Sequence, residues 1–319
     1  MLQAVILIVI GFIFLIKGAD FLVDGSSNIA KRFHIPEIII GLTIVSIGTS
    51  MPELFVSTTS ALEGYTDMAM GNIIGSNVCN LLLILGLSSM IKPVQFQKET
   101  RLIEIPMCLI LTILFVILCN VGMGISRVDA GILVALFILF IGYTIYMAKK
   151  GQEFDEIKET KKERKKLEEI PILKNIIYVI LGVVLLKFGG DFTVDNAIIV
   201  AKHFGLSEKF ISLTILAIGT SLPELVTSVT AAIKGNSDIA IGNIIGSNIF
   251  NMLLIIGVSA FIHPIVYNAS YNIDLSILVG SLIVLALFPI IPPKNEMSRA
   301  NGTIYFIAYI GYIILLFNI

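Results

Sequence analysis

Gly48-Thr-Ser-Met-Pro-Glu-Leu54 and Gly71-Asn-Ile-Ile-Gly-Ser-Asn77 each return 171 residues later without a gap, as Gly219-Thr-Ser-Leu-Pro-Glu-Leu225 and Gly242-Asn-Ile-Ile-Gly-Ser-Asn248. The repeat extends upstream at the same offset, from Gly18-Ala-Asp-Phe-Leu-Val-Asp24 to Gly189-Gly-Asp-Phe-Thr-Val-Asp195. Crossing a ~30 Å hydrocarbon layer as a helix takes about 20 apolar residues. Ten such runs are legible, near 3–28, 35–62, 67–90, 102–122, 128–148, 173–200, 207–233, 238–262, 273–292 and 301–318. Each copy of the repeat therefore holds five spans. An odd number makes the second copy enter the membrane from the opposite side. The expected fold is an all-α integral membrane protein of ten transmembrane helices, arranged as two inverted five-helix repeats.

Composition agrees with lipid as the solvent. Of the 319 residues 56% are hydrophobic and 14% charged, where soluble domains carry about 25% charged residues. The net charge of −1 points to no nucleic-acid partner, and no obligate protein partner is implied. The division expected is 1–148 for the first repeat, 149–172 for a charged linker and 173–319 for the second repeat. The linker's mixed charges suit a solvated connection or short surface helix. Leu2 to Ile16 lacks a basic leader and a small-residue cleavage site, so it is read as a retained first span. Cys79, Cys108 and Cys119 lie in apolar runs with no metal-ligand spacing, as buried thiols do.

Basic residues in short loops set orientation. Lys31, Arg32, Lys92, Lys98, Arg101, nine in 149–174, Lys234, Lys294 and Arg299 fall on one side, 17 in all, against Arg127, Lys202 and Lys209 on the other. This bias predicts a multi-pass cell-membrane protein with a cytoplasmic linker and both termini outside.

An ionisable group at membrane depth is costly and marks function by default. Glu53 lies four residues after Thr49 and three after Ser50, so the three share a helix face. Pro52 has no N–H and clashes with the carbonyl of Gly48. A break is expected there, freeing carbonyls around Ser46 to Gly48, and Pro223 repeats it around Ala217 to Gly219, beside Thr220, Ser221 and Glu224. In the third span Asn72, Ser76 and Asn80 recur every fourth residue beside the small stripe Gly71 and Gly75, which lets another helix approach closely. Asn243, Ser247, Asn251, Gly242 and Gly246 do the same in the eighth. Helices 2, 3, 7 and 8 are accordingly expected to be broken. Paired unusual spans in two halves place a transport site where the halves meet. Its donors are carboxylate, hydroxyl, amide and carbonyl oxygens without thiolate or imidazole. Such a set suits a hard cation, and two glutamates balance one divalent ion.

Outside that constellation, Asp20, Asp24, Asp191 and Asp195 are read as helix-end or interhelix hydrogen-bonding groups. Lys17 and Lys187 are read as snorkelling side chains, and His34, His203 and His263 as interfacial residues.

The duplicated GTSxPE and GNxxGSNxxN pair resembles the alpha repeats of the sodium/calcium exchanger family, in its compact prokaryotic form within the calcium/cation antiporter superfamily. The resemblance spans the chain apart from the linker. It implies a ten-helix antiporter, not an enzyme, that moves Ca2+ against Na+ flow, with three Na+ per Ca2+. Both ions are substrates, and no cofactor is implied. By the same resemblance Glu53 and Glu224 are the central cation ligands, and Thr49, Ser50, Thr220 and Ser221 add side-chain or backbone oxygens. Ser76, Asn80, Ser247 and Asn251 complete the set, with backbone carbonyls at Ser46 and Ala217 as outer ligands. Some relatives carry aspartate where this chain has Asn80 or Asn251, and aspartate in the second repeat accompanies potassium dependence. Two asparagines therefore imply potassium independence. The proton-exchanging branch resembles GNxxEH at the third helix, where this chain has Gly75-Ser76-Asn77. Sodium is thus favoured over the proton, and a Ca2+/H+ or other monovalent/divalent exchanger is the alternative. The ~23-residue linker cannot hold a calcium-sensing domain. An intramembrane hydrolase would need a His–Glu zinc motif or a base paired with serine, and neither occurs. A cation channel would differ in showing ohmic conductance rather than saturable counterflow.

Overall fold

A computed structural model describes residues 2–122, 124–158, 170–204, 217–292 and 294–318. In chain order its main helices are α1 (Leu2–Arg32), α2 (Glu37–Thr49), α3 (Met51–Leu62), α4 (Thr66–Ile91), α5 (Thr100–Val121) and α6 (Arg127–Lys158). The second part adds α7 (Ile172–His203), α8 (Ala217–Thr220), α9 (Leu222–Lys234), α10 (Ser237–Ile262), α11 (Ala269–Leu287) and α12 (Arg299–Asn318). Among the described residues eight helices are long and apolar enough to cross a membrane, and nine spans result if the bent pair α2/α3 counts as one. The remaining expected span, 207–233, is described only from residue 217 onward. Large apolar side chains such as Phe55, Ile110, Val128, Leu139 and Ile307 face outward, the arrangement that lipid rather than water rewards. The protein is an all-helical, multi-pass membrane protein.

α4 and α10 form the centre: 83% of the most apolar window of each is buried, against 22–33% in the other six complete spans. α1 and α7 lie against each other with their backbones close. A Cβ on Gly18 would meet Gly182 O at 2.9 Å, and one on Gly189 would meet Gly11 O at 2.8 Å. Only glycine permits that approach. Contacts that descend in one helix as they climb in the other make the pair antiparallel, although both carry the same Gly-x-Asp-Phe-x-Val-Asp sequence.

Two short antiparallel ribbons join loops of the two sequence halves. β1 (Val94–Gln95), after α4, pairs with β4 (Glu296–Met297), after α11, and β2 (Gly124–Ile125), after α5, pairs with β3 (Ile265–Val266), after α10. Exchanging the halves turns one ribbon into the other.

One expectation needs correction. α4 and α10 are not broken: each runs unbroken through a π-helical segment, Cys79–Leu85 and Asn251–Ile255. Neither contains proline, so nothing removes a backbone donor, and the conformational relief takes the milder form of a widened turn. The membrane span of α6 ends at Lys150, near the expected 148, and its helix runs on to Lys158. Linker residues 159–169 lie outside the described part.

Candidate functional site

The chain bends by 50° between α2 and α3. Ser50 occupies the joint at φ −84°, ψ 11°, and Ser221 takes nearly the same conformation, φ −88°, ψ 7°, between α8 and α9. Pro52 and Pro223 follow in the first turn of α3 and α9. Proline suits that place because its missing N–H would have had no helical partner there. Glu53 and Glu224 sit in the same first turns, where the positive end of the helix favours a carboxylate. The break thus sets a buried carboxylate against the N-terminus of a helix at membrane depth.

The described contacts knit the halves together across the centre. Ser50 donates its hydroxyl to Glu224 Oε1 at 2.7 Å, and the Ser50 and Ser247 hydroxyls lie 2.9 Å apart. In the mirror arrangement Ser221 and Ser76 donate to Glu53 Oε1 at 3.4 and 3.5 Å. Thr49 donates to Asn243 Oδ1 at 3.0 Å and Thr220 to Asn72 Oδ1 at 3.5 Å. The amide nitrogens of Asn72 and Asn243 are anchored in turn on Ser57 and Ser228 at 3.1 and 2.9 Å. Glu53 and Glu224 are each 1% exposed.

Thirteen buried side-chain polar atoms among the described residues lack a hydrogen-bond partner, and four of them are acceptors on residues of this network. Glu53 Oε2, Glu224 Oε2, Asn80 Oδ1 and Asn251 Oδ1 have no hydrogen-bond partner. They form two pairs with the 171-residue offset of the sequence repeat. A buried carboxylate oxygen without a partner costs several kcal/mol unless a positive charge meets it. The donor set here is oxygen only and holds two carboxylates, which fits Na+ or Ca2+ and not a soft metal. Cys79, the nearest thiol in sequence, is buried and free.

Ten of the twelve residues singled out from the sequence, Thr49, Ser50, Glu53, Ser76, Asn80, Thr220, Ser221, Glu224, Ser247 and Asn251, take part in this hydrogen-bonded network or carry its unpartnered oxygens. The other two stand apart. The Ser46 carbonyl is not freed by the bend, since it accepts from Ser50 N at 3.0 Å. Ala217 is the first residue of α8, bordering residues outside the described part. Sequence reasoning missed Asn77 and Asn248, which bridge α4 and α10; their identical place in both repeats was the available signal. Gly242 and Gly246 do admit α2, because a Cβ on Gly246 would meet Leu42 O at 2.7 Å. The near neighbour of Gly71 is instead the Tyr271 hydroxyl.

A family model described as "Sodium/calcium exchanger protein" matches residues 3–146 and 174–318. The chain is 37% identical over its full length, and the relative's, to a putative antiporter, CaxA, of Alkalimonas amylolytica. It is 29% identical to the sodium/calcium exchanger MaX1 of Methanosarcina acetivorans, covering 98% of both chains. Among solved structures it is similar to the sodium-calcium exchanger NCX_Mj soaked with Na+ and Ca2+, with TM-score 0.84, 30% identity and 98% of each chain covered.

Proposed function

The chain belongs to the sodium/calcium exchanger family, and we propose that it is a secondary antiporter exchanging Na+ for Ca2+ at the Glu53–Glu224 centre by alternating access. The observation that carries this is the paired set of unpartnered acceptors, Glu53 Oε2, Glu224 Oε2, Asn80 Oδ1 and Asn251 Oδ1. Two carboxylates neutralise one Ca2+, and the neutral amide and hydroxyl oxygens around them complete its shell. Ca2+ and Na+ compete for the same oxygens, which is what couples their movements.

The wider architecture in this reading is ten spans in two inverted halves, with the linker cytoplasmic and both termini outside. The antiparallel α1/α7 pair and the exchanged ribbons support the inversion. A cleft of about 160 Å3 reaches Pro52, Thr220 and Pro223 beside Asp191 and Asp195 of α7. The charge bias puts that end of α7, and so the cleft, on the outer side in this reading. At the opposite end Lys234 bridges Asp20 at 2.9 Å and Asp24 at 2.8 Å, tying α9 to α1. The position equivalent to Lys234 in the first half is Glu63, which cannot make that bridge to the outer acidic pair.

Exchange is electrogenic and potassium-independent in this account, since Asn80 and Asn251 add no charge. Reconstituted vesicles carrying an outward Na+, K+ or H+ gradient test it. Radiolabelled Ca2+ uptake should follow the Na+ gradient alone. Uptake driven by a proton gradient in the absence of Na+ would establish the Ca2+/H+ alternative instead.

A further inference from the structure

Four asparagines form a hydrogen-bonded network between α4 and α10, running Asn251–Asn77–Asn248–Asn80, and its hydrogen bonds have one consistent polarity. The Asn248 backbone carbonyl can only accept, so Asn77 must present Nδ2 to it, at 3.4 Å. That turns Asn77 Oδ1 the other way, where it accepts from Asn251 Nδ2 at 2.9 Å. Asn251 is thereby left with Oδ1 as its free end, and that atom is buried without a partner. The other half repeats the chain of constraints. Asn248 Nδ2 donates to the Asn77 carbonyl at 3.4 Å, Asn248 Oδ1 accepts from Asn80 Nδ2 at 3.0 Å, and Asn80 Oδ1 is left unpartnered.

We propose that Asn77 and Asn248 are positioning residues that lock the amides of Asn251 and Asn80 with oxygen, not nitrogen, toward the transported ions. The proposal rests on the reading that cations occupy the centre. An asparagine amide is nearly symmetric in shape, so packing alone does not choose between its two ends. The wrong choice would aim two N–H donors at a cation. It would also set Asn251 Oδ1 against Asn77 Oδ1, two acceptors with no proton between them. Because the polarity is anchored on backbone carbonyls, a flip at either end leaves buried groups unpaired. All four side chains are at most 1% exposed, so water is not at hand to relieve such a fault. The network spans both halves: Asn77 of the first orients Asn251 of the second, and Asn248 of the second orients Asn80 of the first.

Replacing the oriented amide by a carboxylate removes the choice between its two ends. A carboxylate at position 251 would face Asn77 Oδ1 with an acceptor in either orientation. It would need no orienting partner, and Asn77 would oppose it.

A double-substitution cycle separates orientation from packing. Equilibrium binding of radiolabelled Ca2+ to purified, monodisperse protein is measured for wild type, Asn77→Leu, Asn251→Asp and the double variant. Asn77→Leu in the wild-type background should weaken Ca2+ binding about tenfold or more, as loss of a partner that orients a metal ligand does. Added to Asn251→Asp, the same substitution should leave affinity unchanged or improved, because both carboxylate oxygens can face the ion. Equal losses in both backgrounds, or no loss in the wild-type background, would overturn the positioning role. Should Asn77→Leu fail to assemble, Asn248→Leu with Asn80→Asp runs the same cycle through the other half of the network. Wild-type protein that binds no Ca2+ would instead sink the cation reading on which the proposal rests.

Discussion

Ser50 and Glu224 come from different sequence halves, yet their side chains meet in a 2.7 Å hydrogen bond, whereas the mirror contact from Ser221 to Glu53 measures 3.4 Å. The site is symmetric in residues but not in distances. A hydrogen bond to a charged group contributes about 1.5–3 kcal/mol, falling steeply as it lengthens. Ser50→Ala should therefore raise the half-saturating Ca2+ concentration by roughly tenfold or more, and Ser221→Ala by clearly less. Concentration dependence of Na+-driven Ca2+ uptake for both variants checks this. Equal effects would show that the tighter contact does not matter to binding.

The packing of α10 on α2 leaves no room at Gly246. A Cβ there would lie 2.6 Å from Ser46 Oγ and 2.7 Å from Leu42 O, while one on Gly280 would meet nothing within 4 Å. Gly246→Ala should cost about 1–3 kcal/mol through overpacking and lower the unfolding temperature in detergent. Gly280→Ala should leave that temperature near the wild-type value. A Gly246→Ala protein as stable as wild type would mean that the two helices are not held in this contact.

On the proposed exchange, charge balance predicts voltage-sensitive transport. With three Na+ the two ionised glutamates leave one net positive charge, and with one Ca2+ they leave none. Moving one charge across 100 mV is worth about 2.3 kcal/mol. A negative-inside diffusion potential imposed on Na+-loaded vesicles should slow Ca2+ uptake with Na+ leaving, and a positive-inside potential should speed it. Uptake indifferent to either would contradict the count.

Much of the site was legible in the sequence because each element is written twice. Glu53 and Glu224 announced themselves as carboxylates in apolar runs, and the flanking prolines marked where the helices bend. The stripe Asn72, Ser76, Asn80 followed from helical periodicity. The same periodicity hid Asn77, which lies one residue off that stripe and so about 100° around an ideal helix. Its neighbour becomes visible only when α10 is set beside α4. The π-helical turns at Cys79–Leu85 and Asn251–Ile255 replaced expected breaks for a related reason. Without proline no local signal fixes how a helix accommodates buried polar groups, and packing between helices decides. The Lys234 bridge to Asp20 and Asp24 was half legible. The aspartates were expected to bond between helices, but no repeat marked the lysine, which has glutamate as its counterpart.

The most direct test of the account is uptake of radiolabelled Ca2+ by Na+-loaded proteoliposomes containing wild type, Glu53→Gln or Glu224→Gln. Removing either carboxylate leaves Ca2+ in a dry site with one charge uncompensated. Both variants should elute as assembled, monodisperse protein and show no Na+-driven uptake above empty vesicles, while wild type accumulates Ca2+ in proportion to the Na+ gradient. Near-normal exchange by either variant would show that the paired glutamates are not where the ions are bound.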